Sequence, residues 1–220
     1  MIKAIIFDLD GTLIDSMGVW YRTDRIFLRE NNVVPPEDIS ERMKKMSIEE
    51  AAVYFNNEFG LDCTPEYIIK RIEEIVADEY KNNISLKDNV IRLLDYLDEK
   101  GIPYCIATAT YKKLAKSVLE RHGIYNRFKF VITGEDVKTG KTSPEIYLKC
   151  AENFNCRPDE ILVAEDSLHC VETAVSAGFF TVGVYDPDAE NVWEKICSLA
   201  HKTAKNIYEI TDIISEMENK

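Results

Sequence analysis

Asp8 and Asp10 stand two residues apart where an apolar run ends, in the segment Phe7-Asp8-Leu9-Asp10-Gly11-Thr12. Side chains at i and i+2 share a face of a strand, and just past a strand end both carboxylates can still approach one site. Carboxylates that close repel each other. The pair therefore calls for a divalent cation between them, or for pKa values pushed apart so that one serves as nucleophile and the other as acid. Gly11 lets the backbone turn sharply and approach a ligand closely.

Three further groups suit the same chemistry. Thr108 ends the run Pro103-Tyr104-Cys105-Ile106-Ala107. Its hydroxyl, with the backbone N–H groups that open the following helix from Ala109 onward, makes a site for phosphate oxygens. Lys141, in Gly140-Lys141-Thr142-Ser143-Pro144, would offset both phosphate charge and carboxylate repulsion. Glu165-Asp166-Ser167 follows the run Ile161-Leu162-Val163-Ala164 and offers hard oxygen ligands. Mg²⁺ is the expected ion, because it accepts one or two carboxylates together with substrate phosphate and water.

The elements that must position these residues follow from periodicity. Ile2 to Phe7 reads as a buried parallel strand. From about Ser16 to Tyr80 the pattern is helical only, with apolar stripes at Met17, Trp20, Tyr21, Phe27 and Leu28, at Ile48, Ala51, Ala52 and Phe55, and at Ile68, Ile72, Ile75 and Val76. The capping box Ser47-x-x-Glu50 opens the second stripe, and Thr64 with Pro65 opens the third. After Asn82-Asn83, strands at 103–107, 130–132, 161–164 and 180–184 alternate with helices, the last of these being the final clear strand. Alternation of this kind means a parallel sheet covered on both faces. The expected fold is a doubly wound, Rossmann-like α/β core, 1–16 and 84–220, with an all-helical cap, 17–83, inserted after the first strand. Ligands of such sheets bind outside the carboxyl ends of the strands, and a cap leaving from there would act as a lid.

Composition narrows the partners. The chain has 220 residues, 39 acidic and 27 basic side chains and a formal charge of −12. That balance speaks against nucleic acid and against an anionic membrane surface, but not against a small phosphorylated metabolite bound beside a metal ion and a lysine. The six cysteines form no C-x-x-C pair and read as reduced core thiols. With neither a signal-peptide pattern nor an apolar stretch of ~18 residues, the chain is expected to be cytoplasmic, and nothing in it demands a second copy, so a monomer is expected. His122, His169 and His201 are assigned no role.

In order, Asp8-x-Asp10-Gly11-Thr12-x-x-Asp15-Ser16, Thr108, Lys141 and Glu165-Asp166-Ser167 resemble the motifs of the haloacid dehalogenase superfamily, in its helical-cap phosphatase and β-phosphoglucomutase-like branch. The resemblance covers nearly the whole chain. It implies that Asp8 attacks phosphorus and forms an aspartyl-phosphate, and that Asp10 protonates the leaving oxygen and then activates water. It further implies that Thr108 and Lys141 hold phosphate oxygens, and that Mg²⁺ is held by the Asp8 carboxylate, the Asp10 carbonyl and Asp166, with Glu165 as a ligand or close by. Three departures stand out: Lys141-Thr142-Ser143-Pro144 replaces the usual Lys-Pro-x-Pro, Cys170 stands where a glycine is common, and Trp20 lies near the position of a mutase histidine. Because a tryptophan cannot shuttle a proton, and no cap lysine (Lys44, Lys45, Lys70, Lys81) has the context of a Schiff base, a phosphatase of small sugar-phosphate-like esters is expected. A phosphomutase is the alternative, and a receiver-like or non-catalytic phosphate-binding protein is the more distant one. Trp20, Tyr21, Arg22, Arg25 and Met43 to Ser47 are candidate specificity contacts of the cap.

Overall fold

In the computed structural model, the structure describes residues 2–43, 46, 48–138 and 143–218, with backbone alone at 20, 21, 40, 41, 48 and 49. Lys141 with its neighbours Gly140 and Thr142, the cap residues Lys44, Lys45 and Ser47, and the side chains of Trp20 and Tyr21 lie outside the described residues.

The first strand, β1 (Ala4–Phe7), is buried along its whole length. An uninterrupted apolar run of this kind belongs in the middle of a parallel sheet, covered on both faces. The chain then forms α1 (Val19–Glu30), α2 (Ile39–Met43), α3 (Ile48–Phe59) and α4 (Pro65–Asn82) before returning to the α/β alternation. That alternation runs through α5 (Val90–Lys100), β2 (Tyr104–Thr108), α6 (Lys112–Arg121), β3 (Val131–Thr133), α7 (Glu145–Phe154), β4 (Ile161–Glu165), α8 (Leu168–Ser176), β5 (Phe180–Val184), α9 (Trp193–Leu199), β6 (Lys202–Ala204) and α10 (Ile210–Glu218). All the strands are parallel, in the order β3-β2-β1-β4-β5-β6. This is the doubly wound order, with the crossover reversing direction beside β1.

By compactness the chain divides into two units, Met1–Asp15 with Ser85–Lys220, and Ser16–Ile84. The helical unit has an apolar interior of its own, including Phe27, Leu28, Ala52, Phe55, Ile68 and Ile72, with the Phe27 and Phe55 rings 5.2 Å apart. Thr64 caps α4 by accepting from the Tyr67 N–H at 3.2 Å, with Pro65 at the first helical position. Buried Glu79 accepts from Arg22 Nε at 2.7 Å and from Asn83 Nδ2 at 2.8 Å.

Two elements depart from the sequence reading. The short helix α2 was not anticipated, since five residues carry too little periodicity to show. Nor was β6, a three-residue edge strand paired with β5, whose Lys202 is exposed and whose alternation is too brief to stand out. The strands on either side of the site also reach one residue further than expected, so that Thr108, Thr133 and Glu165 are strand residues. The cysteines divide as well: Cys105, Cys150 and Cys170 are buried, whereas Cys197 is exposed, and all are free thiols. Among the described residues no helix is long and apolar enough to cross a membrane.

The α/β unit fastens its own two crossing segments together. The Asp15 N–H donates to Ser85 O at 2.9 Å, the Lys87 N–H to Leu13 O at 2.9 Å, and Ile14 bridges Leu86. The Lys87 ammonium is ion-paired with Asp186, which is nearly fully buried beyond β5. Removing one partner of such a pair leaves a buried charge without compensation. Lys87→Met is therefore expected to cost about 3 kcal/mol of stability in urea unfolding. A change under about 0.5 kcal/mol, the level of an exposed pair, would contradict this reading.

Candidate active site

The carboxyl ends of β1, β2 and β4 are brought level by register. Phe7 pairs with Ile106 on one side and Ala164 on the other, and the Asp8 N–H donates to Ala164 O at 3.0 Å. Asp8 thus emerges beside Glu165, the last residue of β4, and Thr108 lies at the same end of β2.

Past Asp8 the chain folds back on itself. The N–H groups of Leu13 and Ile14 both donate to Leu9 O, at 2.9 and 3.0 Å, and Gly11 N–H donates to Ile14 O at 3.0 Å. Gly11 has a φ of +77°, and a Cβ there would lie 2.4 Å from Asp166 Oδ2. The glycine is required twice, for its left-handed backbone and for the approach to a carboxylate. Next to it, the Thr12 hydroxyl donates to Asp166 Oδ1 at 3.3 Å. This turn therefore seats the loop against Asp166.

The same turn sorts the two aspartates into different surroundings. Asp8 is buried with Glu165 and Asp166, and one carboxylate oxygen from each of the three lies within 4.8 Å of the others. Asp10 is half-buried and faces β2, where its Oδ2 accepts from Thr110 Oγ1 at 2.6 Å and Thr108 Oγ1 at 3.4 Å. The Thr108 hydroxyl in turn accepts from the Thr110 N–H at 3.0 Å, which curls residues 108–110 into a tight turn with Ala109 exposed at its tip. Gly134 allows the end of β3 to approach this turn, since a Cβ there would lie 3.1 Å from Ala109 O.

Three carboxylates gathered in a buried place repel one another unless a cation offsets them. Their donor set is all oxygen, which suits a hard divalent cation of the Mg²⁺ type. Glu165 is further held by the hydroxyl of Tyr147, which donates to its Oε1 at 2.7 Å. Burial, and then the charge of Glu165, push the Tyr147 phenol far above its ordinary value, so it keeps its proton.

Of the residues expected from the sequence, Asp8, Glu165 and Asp166 meet in one cluster, while Asp10 and Thr108 meet beside it, with Gly11 and Ala109 at the adjoining turns. Lys141 and the Trp20 side chain lie outside the described residues. His169 is exposed and bonded to Ser167 Oγ at 2.9 Å. Sequence reasoning missed Thr110 and Tyr147, and took in Thr12 only as part of a motif, without a role. The threonines were visible as hydroxyls flanking assigned residues, but Tyr147 reads as one more apolar position of its helix. In the helical unit, burial pushes the carboxyl of Asp24 up to about 6 against a lowering by Arg25, a perturbation that sequence does not display.

Known proteins of one family resemble this chain. A model of haloacid dehalogenase-like hydrolases matches residues 5–184. The chain is 31% identical over 185 residues to hexitol phosphatase A of Escherichia coli, covering 84% of each chain. It is 29% identical over 176 residues to a phosphorylated carbohydrates phosphatase of Thermotoga maritima, covering 80% of this chain and 82% of that one. A Thermotoga maritima crystal structure described as a candidate β-phosphoglucomutase superposes with a TM-score of 0.87 at 27% identity, over 98% of this chain and 99% of that one.

Proposed function

The chain belongs to the haloacid dehalogenase-like hydrolases, and from that premise we propose that it is a Mg²⁺-dependent phosphatase of small sugar- or polyol-phosphate esters, working through an aspartyl-phosphate on Asp8. One observation carries the reading: two carboxylates two residues apart are held in two environments, Asp8 among buried carboxylates and Asp10 under threonine hydroxyls. Nucleophile and acid/base need such a division of surroundings.

In the proposed reaction an oxygen of Asp8 attacks phosphorus in line with the ester oxygen. As the phosphorus–ester bond breaks, the leaving oxygen takes the proton of Asp10 and departs as an alcohol. A water then attacks the phosphorus of the acyl phosphate and gives its proton to Asp10, which releases inorganic phosphate and restores Asp8. The Thr108 hydroxyl, the Ala109 N–H and Lys141 bind the phosphoryl oxygens, while Thr110 orients Asp10. Asp8, Asp166 and Glu165, with the Asp10 carbonyl, would hold Mg²⁺. That ion supplies charge neutralisation for the phosphoryl oxygens.

The substrate class is supported by relatives named for phosphorylated carbohydrates and hexitols. The test is a panel of phosphate esters with Mg²⁺, read as release of inorganic phosphate. Turnover of sugar or polyol phosphates is expected, abolished by EDTA and restored by Mg²⁺. Absence of release from every ester, or release indifferent to EDTA, overturns the proposal. The likeness to the Thermotoga structure favours a second reading, a phosphomutase, which isomerisation of a hexose phosphate without net phosphate release would select.

A further inference from the structure

Tyr147 places one polar atom in an otherwise apolar wall. It lies on α7 with no exposed surface, clustered with Cys105, Ala107, Val163 and Phe179, its ring 6.0 Å from that of Phe179. A buried phenol needs a hydrogen-bond partner. Here it reaches a carboxylate of the acidic cluster, Glu165 Oε1, at 2.7 Å.

Glu165 has little other freedom. Its backbone is fixed as the last residue of β4, opposite Gly183 of β5, so what remains is rotation of its side chain. The phenol restrains that rotation and engages one carboxylate oxygen, Oε1. A carboxylate held this way meets an ion through a single oxygen. Mg²⁺ demands near-octahedral geometry with few carboxylate oxygens, whereas the larger Ca²⁺ gains from carboxylates that turn and bind through both.

We propose that Tyr147 is a positioning residue for the divalent ion, its hydroxyl locking Glu165 in a single-oxygen orientation and so favouring Mg²⁺ over Ca²⁺. The inference rests on the metal site proposed above for Asp8, Glu165 and Asp166. Groups that orient metal ligands typically change affinity by about 10- to 100-fold when removed.

The test is calorimetric titration of substrate-free protein with Mg²⁺ and, separately, Ca²⁺. Tyr147→Phe removes only the hydroxyl. It is expected to weaken Mg²⁺ binding about 10-fold and Ca²⁺ binding less, so that the ratio of the two Kd values moves toward Ca²⁺. In a Glu165→Gln background the same change should have little further effect, because the phenol acts through Glu165. The ratio is internal to each sample, so a fraction of unfolded protein does not imitate the result. Glu165→Asp, which draws the carboxylate away from the phenol and leaves Tyr147 in place, should shift the ratio in the same direction even if Tyr147→Phe folds poorly. A wild-type protein that binds Mg²⁺, with an unchanged ratio in these variants, overturns the positioning role alone. A wild-type protein that binds no Mg²⁺ overturns the metal site and this inference together.

Discussion

Asp8→Asn is expected to lower phosphate release by on the order of 10⁵-fold while the protein stays folded. An amide has nearly the shape of the carboxylate but neither its charge nor its nucleophilicity, so covalent catalysis stops while packing is kept. Stability should not fall. Asp8 is buried within 4.8 Å of two other carboxylates, and removing one of three like charges relieves repulsion. The pairing of lost activity with unchanged or raised urea stability is what distinguishes a nucleophile from a structural acid. Turnover within tenfold of wild type would refute the assignment of Asp8, and a large loss of stability would make it a structural residue.

The second large effect is expected at a residue with no side chain. Gly11→Ala strains a backbone at φ +77° and places a methyl 2.4 Å from Asp166 Oδ2. Asp166 is nearly fully buried and already accepts from Thr12, so it cannot step aside without leaving the cluster. The backbone strain and the forced displacement together are expected to cost about 3 kcal/mol. Mg²⁺ affinity should fall about 100-fold, as it does when the orientation of a metal ligand is lost. Urea unfolding and Mg²⁺ titration would measure the two losses separately. Normal Mg²⁺ affinity in this variant would show that the ion does not depend on where Asp166 stands.

These two variants probe opposite sides of one turn. Asp8 precedes it and belongs to the buried cluster, while Gly11 and Thr12 lie within it, Gly11 allowing the close approach to Asp166 just past β4 and Thr12 bonding to it. Asp10, between them, is turned toward Thr108 and Thr110. A segment of five residues thereby reaches both neighbouring strands of β1. That is possible because β1 lies between β2 and β4 in the sheet.

The sequence by itself led to the chemistry proposed above and determined most of the frame. Asp8-x-Asp10-Gly11-Thr12 behind an apolar run has few other uses, and the alternation after residue 100 fixes a parallel sheet whose strand ends must gather Thr108, Glu165 and Asp166. Those inferences are local, since each needs only a run of residues and its period. Tertiary structure alone decided which carboxylate met which partner. Asp8 and Asp10 are the same residue type two positions apart, and the folded chain sets one beside Glu165 and Asp166 and the other under Thr108 and Thr110. Thr110 and Tyr147 were overlooked for the same reason: a hydroxyl on a turn and a phenol on an apolar helix face carry no periodic signal of what they bind. The edge strand β6 stayed hidden because three residues have too short a period to read, and their pairing with β5 is a contact between distant parts of the chain. Local pattern encodes the elements, but long-range packing sets which polar atoms meet, and the different surroundings of two neighbouring aspartates belong to the second.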